Sequence, residues 1–227
     1  MILGIYGSGG QGREILDLAQ EINALAEKWE NIVFIDDFKR ETVINGAEVF
    51  TSDEFKASFS ADNAKAVIAV GEPKVRQILR KKMAARGYGL QTLIHPAAFV
   101  GTETSIGDGT IIQFGSFVSC NVKIGANVLM QPKSCVAHDS VIGSDSVIST
   151  FVVISGNCTI GKRTYIGIGV PVRENISIGS DSIIGMGASV LHDIPDNVIA
   201  VGSPARVTKA NERGRVFQVP VRSNSYE

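Results

Sequence analysis

The 227-residue chain holds three cysteines, three histidines and one tryptophan, and its net charge is -1. Cys120, Cys135 and Cys158 are too few, and odd in number, for a disulfide framework; they read as small buried residues of a reducing compartment. No run approaches the roughly 18 apolar residues of a membrane span, so no membrane partner is expected. The opening MILGIYGSGG lacks the basic stretch and long apolar run of a signal peptide. With no excess of positive charge, nucleic acid is not an expected partner either. These absences point to the cytoplasm and to one large or two small domains.

What is present begins with a repeat. Stepping by six from Val100 to Val190 meets sixteen positions, all of them Val, Ile or Met, and fifteen β-branched. Gly often follows (Gly107, Gly125, Gly143, Gly161), and a small or β-branched residue stands two positions before. Chance alternation in ordinary strands does not hold one phase for ninety residues. One hexapeptide makes one side of a triangular prism, with the β-branched residue pointing inward and Gly easing the bend. Three hexapeptides close a coil of eighteen residues, and coils stack about 4.8 Å apart. The pattern predicts an all-β left-handed parallel β-helix over 96–208, followed by a C-terminal extension, 209–227.

Residues 1–95 read differently. Apolar strands are expected at 2–6, 31–35, 65–70 and 91–94, and helices at 13–28 and 73–86. This alternation predicts a small parallel α/β sheet, Rossmann-like in its first turn. Gly7, Gly9 and Gly12 open the first helix, and backbone N–H groups there suit a phosphate. Asp36 stands near where an acidic residue meets a ribose. A nicotinamide cofactor is the rival reading, but ninety residues make only half of a dinucleotide fold; a nucleotide-sugar fits the size better. The glycines also serve a tight strand-to-helix turn with no ligand at all.

The histidines decide the chemistry. His138 and His192 lie fifty-four residues apart, three whole coils, hence about 14 Å at the strand spacing, so they cannot share a zinc; no metal is expected. His138 falls at a prism corner, facing out, and Gly156 stacks on it one coil later. A general base beside a backbone N–H suits acyl transfer, with Asp139 orienting the ring. A solvated corner histidine is the plain alternative.

The hexapeptide prism, the strand–GSGGQG–helix, the strand–Asp36–Asp37–Phe38–Lys39 and the closing Val201-Gly202-Ser203-Pro204-Ala205-Arg206 together resemble the sialic acid O-acetyltransferase family of hexapeptide-repeat acyltransferases. The similarity is greatest to the branch that N-acetylates nucleotide-linked 4-amino-sugars, as in bacillosamine synthesis, and covers residues 2 to about 208. The resemblance implies a homotrimer, acetyl-CoA between adjacent prisms, and a nucleotide-activated amino sugar as acceptor. It implies His138 as base, Asp139 as its acidic neighbour and Gly156 as donor to the thioester carbonyl. Ile168 and Met186 match positions along the pantetheine arm. Gly9, Gly10, Gln11, Asp36, Asp37 and Gly71 match the nucleotide-sugar pocket. The sequence departs from the family at Gln11, where several members have a histidine, and at Val147, where some have a coenzyme-contacting one. O-acetylation of a free sugar such as sialic acid, and a non-catalytic binding scaffold, are the competing expectations.

Overall fold

A computed structural model of the chain describes residues 1–38 and 41–217. It opens with β1 (Ile2–Tyr6), α1 (Gly10–Ala26), β2 (Asn31–Ile35), β3 (Val43–Ile44), β4 (Ala47–Phe50), α2 (Ser52–Ser58), β5 (Ala64–Ile68) and α3 (Pro73–Ala85). The five strands form one sheet in the order β3-β4-β2-β1-β5, parallel except for the β3–β4 hairpin. β1 is buried along its whole length, which is why it reads as an unbroken apolar run. The hairpin and α2 were not expected. They are too short to show a period, yet α2 carries its start signal: Thr51 and Glu54 form a reciprocal capping box.

The prism begins at Leu93–Ile94. This pair was expected to complete the first sheet, but it aligns in parallel with Ile111–Ile112 and is the prism's first rung. Thereafter two-residue strands recur every six residues and pair in register eighteen residues apart. One face stacks Phe99, Phe117, Cys135, Val153 and Pro171 outward; the second stacks Ser105, Lys123, Val141, Thr159 and Ser177; the third stacks Leu93, Ile111, Leu129, Val147, Tyr165 and Ile183. The inward residues, Val118 through Val190, form one buried column. The result is a left-handed parallel β-helix.

The repeat glycines have a different cause from the one expected. Gly107, Gly125, Gly143 and Gly161 do not have positive φ. They are required by stacking, since a Cβ on Gly143 would lie 2.5 Å from the Gly161 carbonyl carbon in the coil above. The left-handed conformation falls two residues later, where Asn121, Asn127, Asp139, Asp145 and Asn157 take it; Asn and Asp tolerate it best after glycine.

The third face is the one covered by the N-terminal unit. Leu93, Ile111, Leu129 and Val147 share a core with Leu3, Ile15, Leu18 and Ile22. Arg76 on α3 is fully buried at this junction and donates to the carbonyls of Ile68, Val70 and Asn127 and to Asn127 Oδ1. Arg80 adds a two-pronged pair to Asp145, both contacts 2.8 Å. Arg76→Ala strands several buried acceptors at once and is expected to cost about 3 kcal/mol or more, read as a lowered urea midpoint. Among the described residues no helix is long and apolar enough to cross a membrane.

Candidate active site

The corner after Cys135–Val136 turns through Asp139, whose φ is +60°. That turn throws the His138 side chain outward, where it is 60% exposed. His138 Nδ1 lies 2.7 Å from Asp139 Oδ2, and Asn121, one coil below, donates to the other carboxylate oxygen at 3.2 Å. The hydrogen bonds from His138 and Asn121 hold the Asp139 pKa below its ordinary value, so the carboxylate is ionised and can only accept. Nδ1 is therefore the ring nitrogen that donates to Asp139, and Nε2 faces away from that carboxylate.

Gly156 is the neighbour that shapes this corner. A Cβ there would lie 2.6 Å from His138 Cε1 and 2.8 Å from Nε2, so the ring rests directly on the glycine backbone. Among the described residues the Gly156 N–H has no hydrogen-bond partner. The arrangement sets a basic nitrogen and a free main-chain donor side by side, the two groups acyl transfer requires. Asn121 escaped the sequence reading, although its place eighteen residues before Asp139 marks it as the stacked neighbour.

The second cluster lies at the carboxyl ends of the parallel strands. Gly9 caps α1, and at both Gly9 and Gly10 the space a side chain would take is open. Gly12 is needed for the turn itself, since a Cβ there would lie 1.9 Å from the Gly7 carbonyl. Asp36 accepts from Ser8 N at 3.0 Å and Ser8 Oγ at 2.7 Å, which fixes the glycine loop. Asp37 turns inward: it accepts from Tyr6 OH, Lys82 Nζ and Ser52 N. Burial pushes its pKa up, but Lys82 and Tyr6 prevail and hold it well below the usual carboxylate range. Gly71 lies in the loop after β5, and in the same loop Val70 Cγ1 stands 2.9 Å from where a Gly7 Cβ would be.

Gln11 reaches out of this crevice to the prism, accepting from Gln131 Nε2 at 2.8 Å and donating to Glu14. Gln131 leads into the corner between the third and first faces, the corner that also carries the exposed Ile168 and Met186. His138 stands at the opposite edge of the first face. Within one chain, then, Gln11, Ile168 and Met186 are grouped, and His138, Asp139 and Gly156 are grouped elsewhere. Val147 belongs to neither group; it is buried in the core between the units, which removes it from any coenzyme surface. His95 is also engaged, its Nε2 3.1 Å from Glu21 and its Nδ1 accepting from Ala97 N. No group of three or more His, Cys, Asp and Glu able to hold a metal occurs among the described residues.

Comparison with known proteins agrees with this architecture. A family model described as the PglD N-terminal domain matches residues 3–83. The acetyltransferase domain of PglB from Neisseria gonorrhoeae FA1090 superimposes with a TM-score of 0.85 at 30% identity, covering 91% of this chain and 99% of that one. That domain has also been solved in complex with acetyl coenzyme A. WeeI from Acinetobacter baumannii AYE gives a TM-score of 0.86 at 31% identity, covering 92% of this chain and all of its own. The GDP-perosamine N-acetyltransferase of Escherichia coli O157:H7 is 34% identical over 112 residues, 48% of this chain, and the match spans half of that relative's length. The chain belongs to the hexapeptide-repeat acyltransferases. Within that family the similarity runs to the nucleotide-amino-sugar N-acetyltransferase branch, represented by the GDP-perosamine enzyme.

Proposed function

We propose that this protein transfers the acetyl group of acetyl coenzyme A to the amine of a nucleotide-linked 4-amino-deoxy sugar. The observation that carries the reading is the His138 corner: Nδ1 tied to an ionised Asp139, Nε2 free, and an unpartnered Gly156 N–H beneath the ring. The neutral amine attacks the thioester carbonyl, and a C–N bond forms. The Gly156 N–H stabilises the oxyanion, and His138 Nε2 takes the ammonium proton. The C–S bond then breaks and the proton passes to the departing thiolate. The relative crystallised with acetyl coenzyme A and the GDP-perosamine N-acetyltransferase support both substrate classes. The glycine loop at Gly9, Gly10 and Gln11, with Asp36 holding it, is the reading's nucleotide-sugar crevice, and UDP, dTDP and GDP are the candidate carriers.

The working form in this proposal is a homotrimer in the cytoplasm. Its support is the first face of the prism, where Phe99 is 55% and Phe117 42% exposed with their rings stacked 5.0 Å apart. His138 flanks one edge of that apolar face and Ile168 with Met186 flank the other, so a second copy seated on it joins the two half-sites.

Asp139→Asn keeps the shape but loses the anion that holds Nδ1–H. We expect kcat to fall by about tenfold or more with both KM values little changed, in steady-state assays. The test of the reaction itself is thiol release from acetyl coenzyme A against UDP-, dTDP- and GDP-linked 4-amino-sugars, with sialic acid alongside. Turnover on one nucleotide-linked amine is expected. Turnover on sialic acid alone replaces the acceptor with a hydroxyl, and binding without turnover replaces the enzyme with a scaffold.

A further inference from the structure

Residues 211–217, which follow Arg206–Ala210, lie against the N-terminal unit. Val216 N and Phe217 N both donate to the Glu72 carboxylate, at 3.0–3.1 Å. Gly214 packs against the Lys74 side chain. The Phe217 ring comes within 3.6 Å of where a Gly71 Cβ would be, and it meets Tyr165 of the prism edge-on at 5.8 Å. Two elements thus flank the ring, the β5–α3 loop and the third face of the prism, while Glu72 holds its main chain. Glu72 is half-buried, and burial pushes its pKa up while the two main-chain donors pull it down.

The location gives this strap a meaning. In the sheet order β3-β4-β2-β1-β5, α1 runs from β1 to one side and the chain later returns to the other, at β5. The topological switch point therefore lies between β1 and β5, and open α/β sheets bind ligands in the crevice just outside the strand ends there. Its two lips are the Gly7–Gln11 turn and the Ala69–Glu72 loop. Phe217 stands on the second lip. The residue is 51% exposed although two elements flank its ring, which leaves aromatic surface open to solvent. A flat, open aromatic surface at the edge of a nucleotide crevice is what a nucleobase stacks on.

We infer that Phe217 is a substrate-binding residue, a stacking wall for the nucleobase of the nucleotide-sugar, held in place by Glu72. This inference rests on the nucleotide-sugar reading above.

The experiment is calorimetric binding of UDP, dTDP and GDP to the full-length protein and to Phe217→Ala, Phe217→Trp and Glu72→Gln, with KM for acetyl coenzyme A measured in parallel. Phe217→Ala is expected to weaken the preferred nucleotide about tenfold, Phe217→Trp to retain it, and Glu72→Gln to weaken it by a smaller factor, with KM for acetyl coenzyme A unmoved. Unchanged nucleotide affinity in Phe217→Ala overturns the wall and leaves the proposed function standing. Tighter binding also overturns it, because the strap would then be a competitor. If the unmodified protein binds none of the three nucleotides, the proposed function falls and this inference falls with it.

Discussion

His138→Ala is expected to lower kcat about 10²- to 10⁴-fold, the usual contribution of a positioned general base. The side chain is 60% exposed and contributes nothing to the packed prism, so the variant should fold and melt like the unmodified protein. KM for both substrates should change little, because the imidazole acts on a proton that leaves only after attack. Thiol release at saturating substrate, with circular dichroism of the same sample, reads both quantities. A variant with full kcat would remove His138 from the reaction and reduce the corner to a solvated ornament of the fold. Loss of structure would move the residue's importance from chemistry to packing, against its exposure.

Gly156→Ala is the second large effect, and it works through space alone. Gly156 does not have positive φ, so alanine suits its backbone. The added methyl would stand 2.6 Å, 2.8 Å and 3.2 Å from three atoms of the His138 ring, closer than van der Waals contact permits. Because the ring is exposed and free on its other side, it can swing away rather than strain the coil. The expected result is a melting temperature within a few degrees of the unmodified protein and a kcat about a hundredfold lower, since a displacement of about 1 Å can cost that much. Retained activity would show that the imidazole works from a different position than the one it occupies here. On that expectation a glycine-sized hole at 156 would serve catalysis, whereas the glycine at 143 serves stacking, where the obstacle is immovable main chain.

The phase of the repeat made the prism legible because one rule, an inward β-branched residue every six, acts on every coil. The same arithmetic placed His138 at a corner and Gly156 above it. It could have found Asn121 as well, which needs only one more step of eighteen. Other features had no periodic signal. Arg76 reads as one more cation on an amphipathic helix, and only the meeting of α3 with the corner at Asn127 buries it. Asp37 looks like the twin of Asp36, yet Lys82 and Tyr6, distant in sequence, claim it. Leu93–Ile94 looks like a fourth strand of the first sheet because its neighbour Leu90 does bridge to Ala66. The register of Leu93 with Ile111 is what assigns it to the prism. Val147 stands two coils above Ile111 on that same covered face, so its apolar character answers to the domain junction.

The last strand of the prism, Arg206–Ala210, runs antiparallel to Val198–Val201, against the direction of every rung before it. A stack of identical parallel rungs has no intrinsic length; its open end is a template on which another molecule's first rung could continue the ladder, as in a growing fibril. Reversal ends that possibility. The terminal strand is exposed throughout and carries Arg206 and Lys209, so the exposed edge differs from the rungs in direction and bears positive charge. On its third face the prism thus carries a stop to end-on pairing.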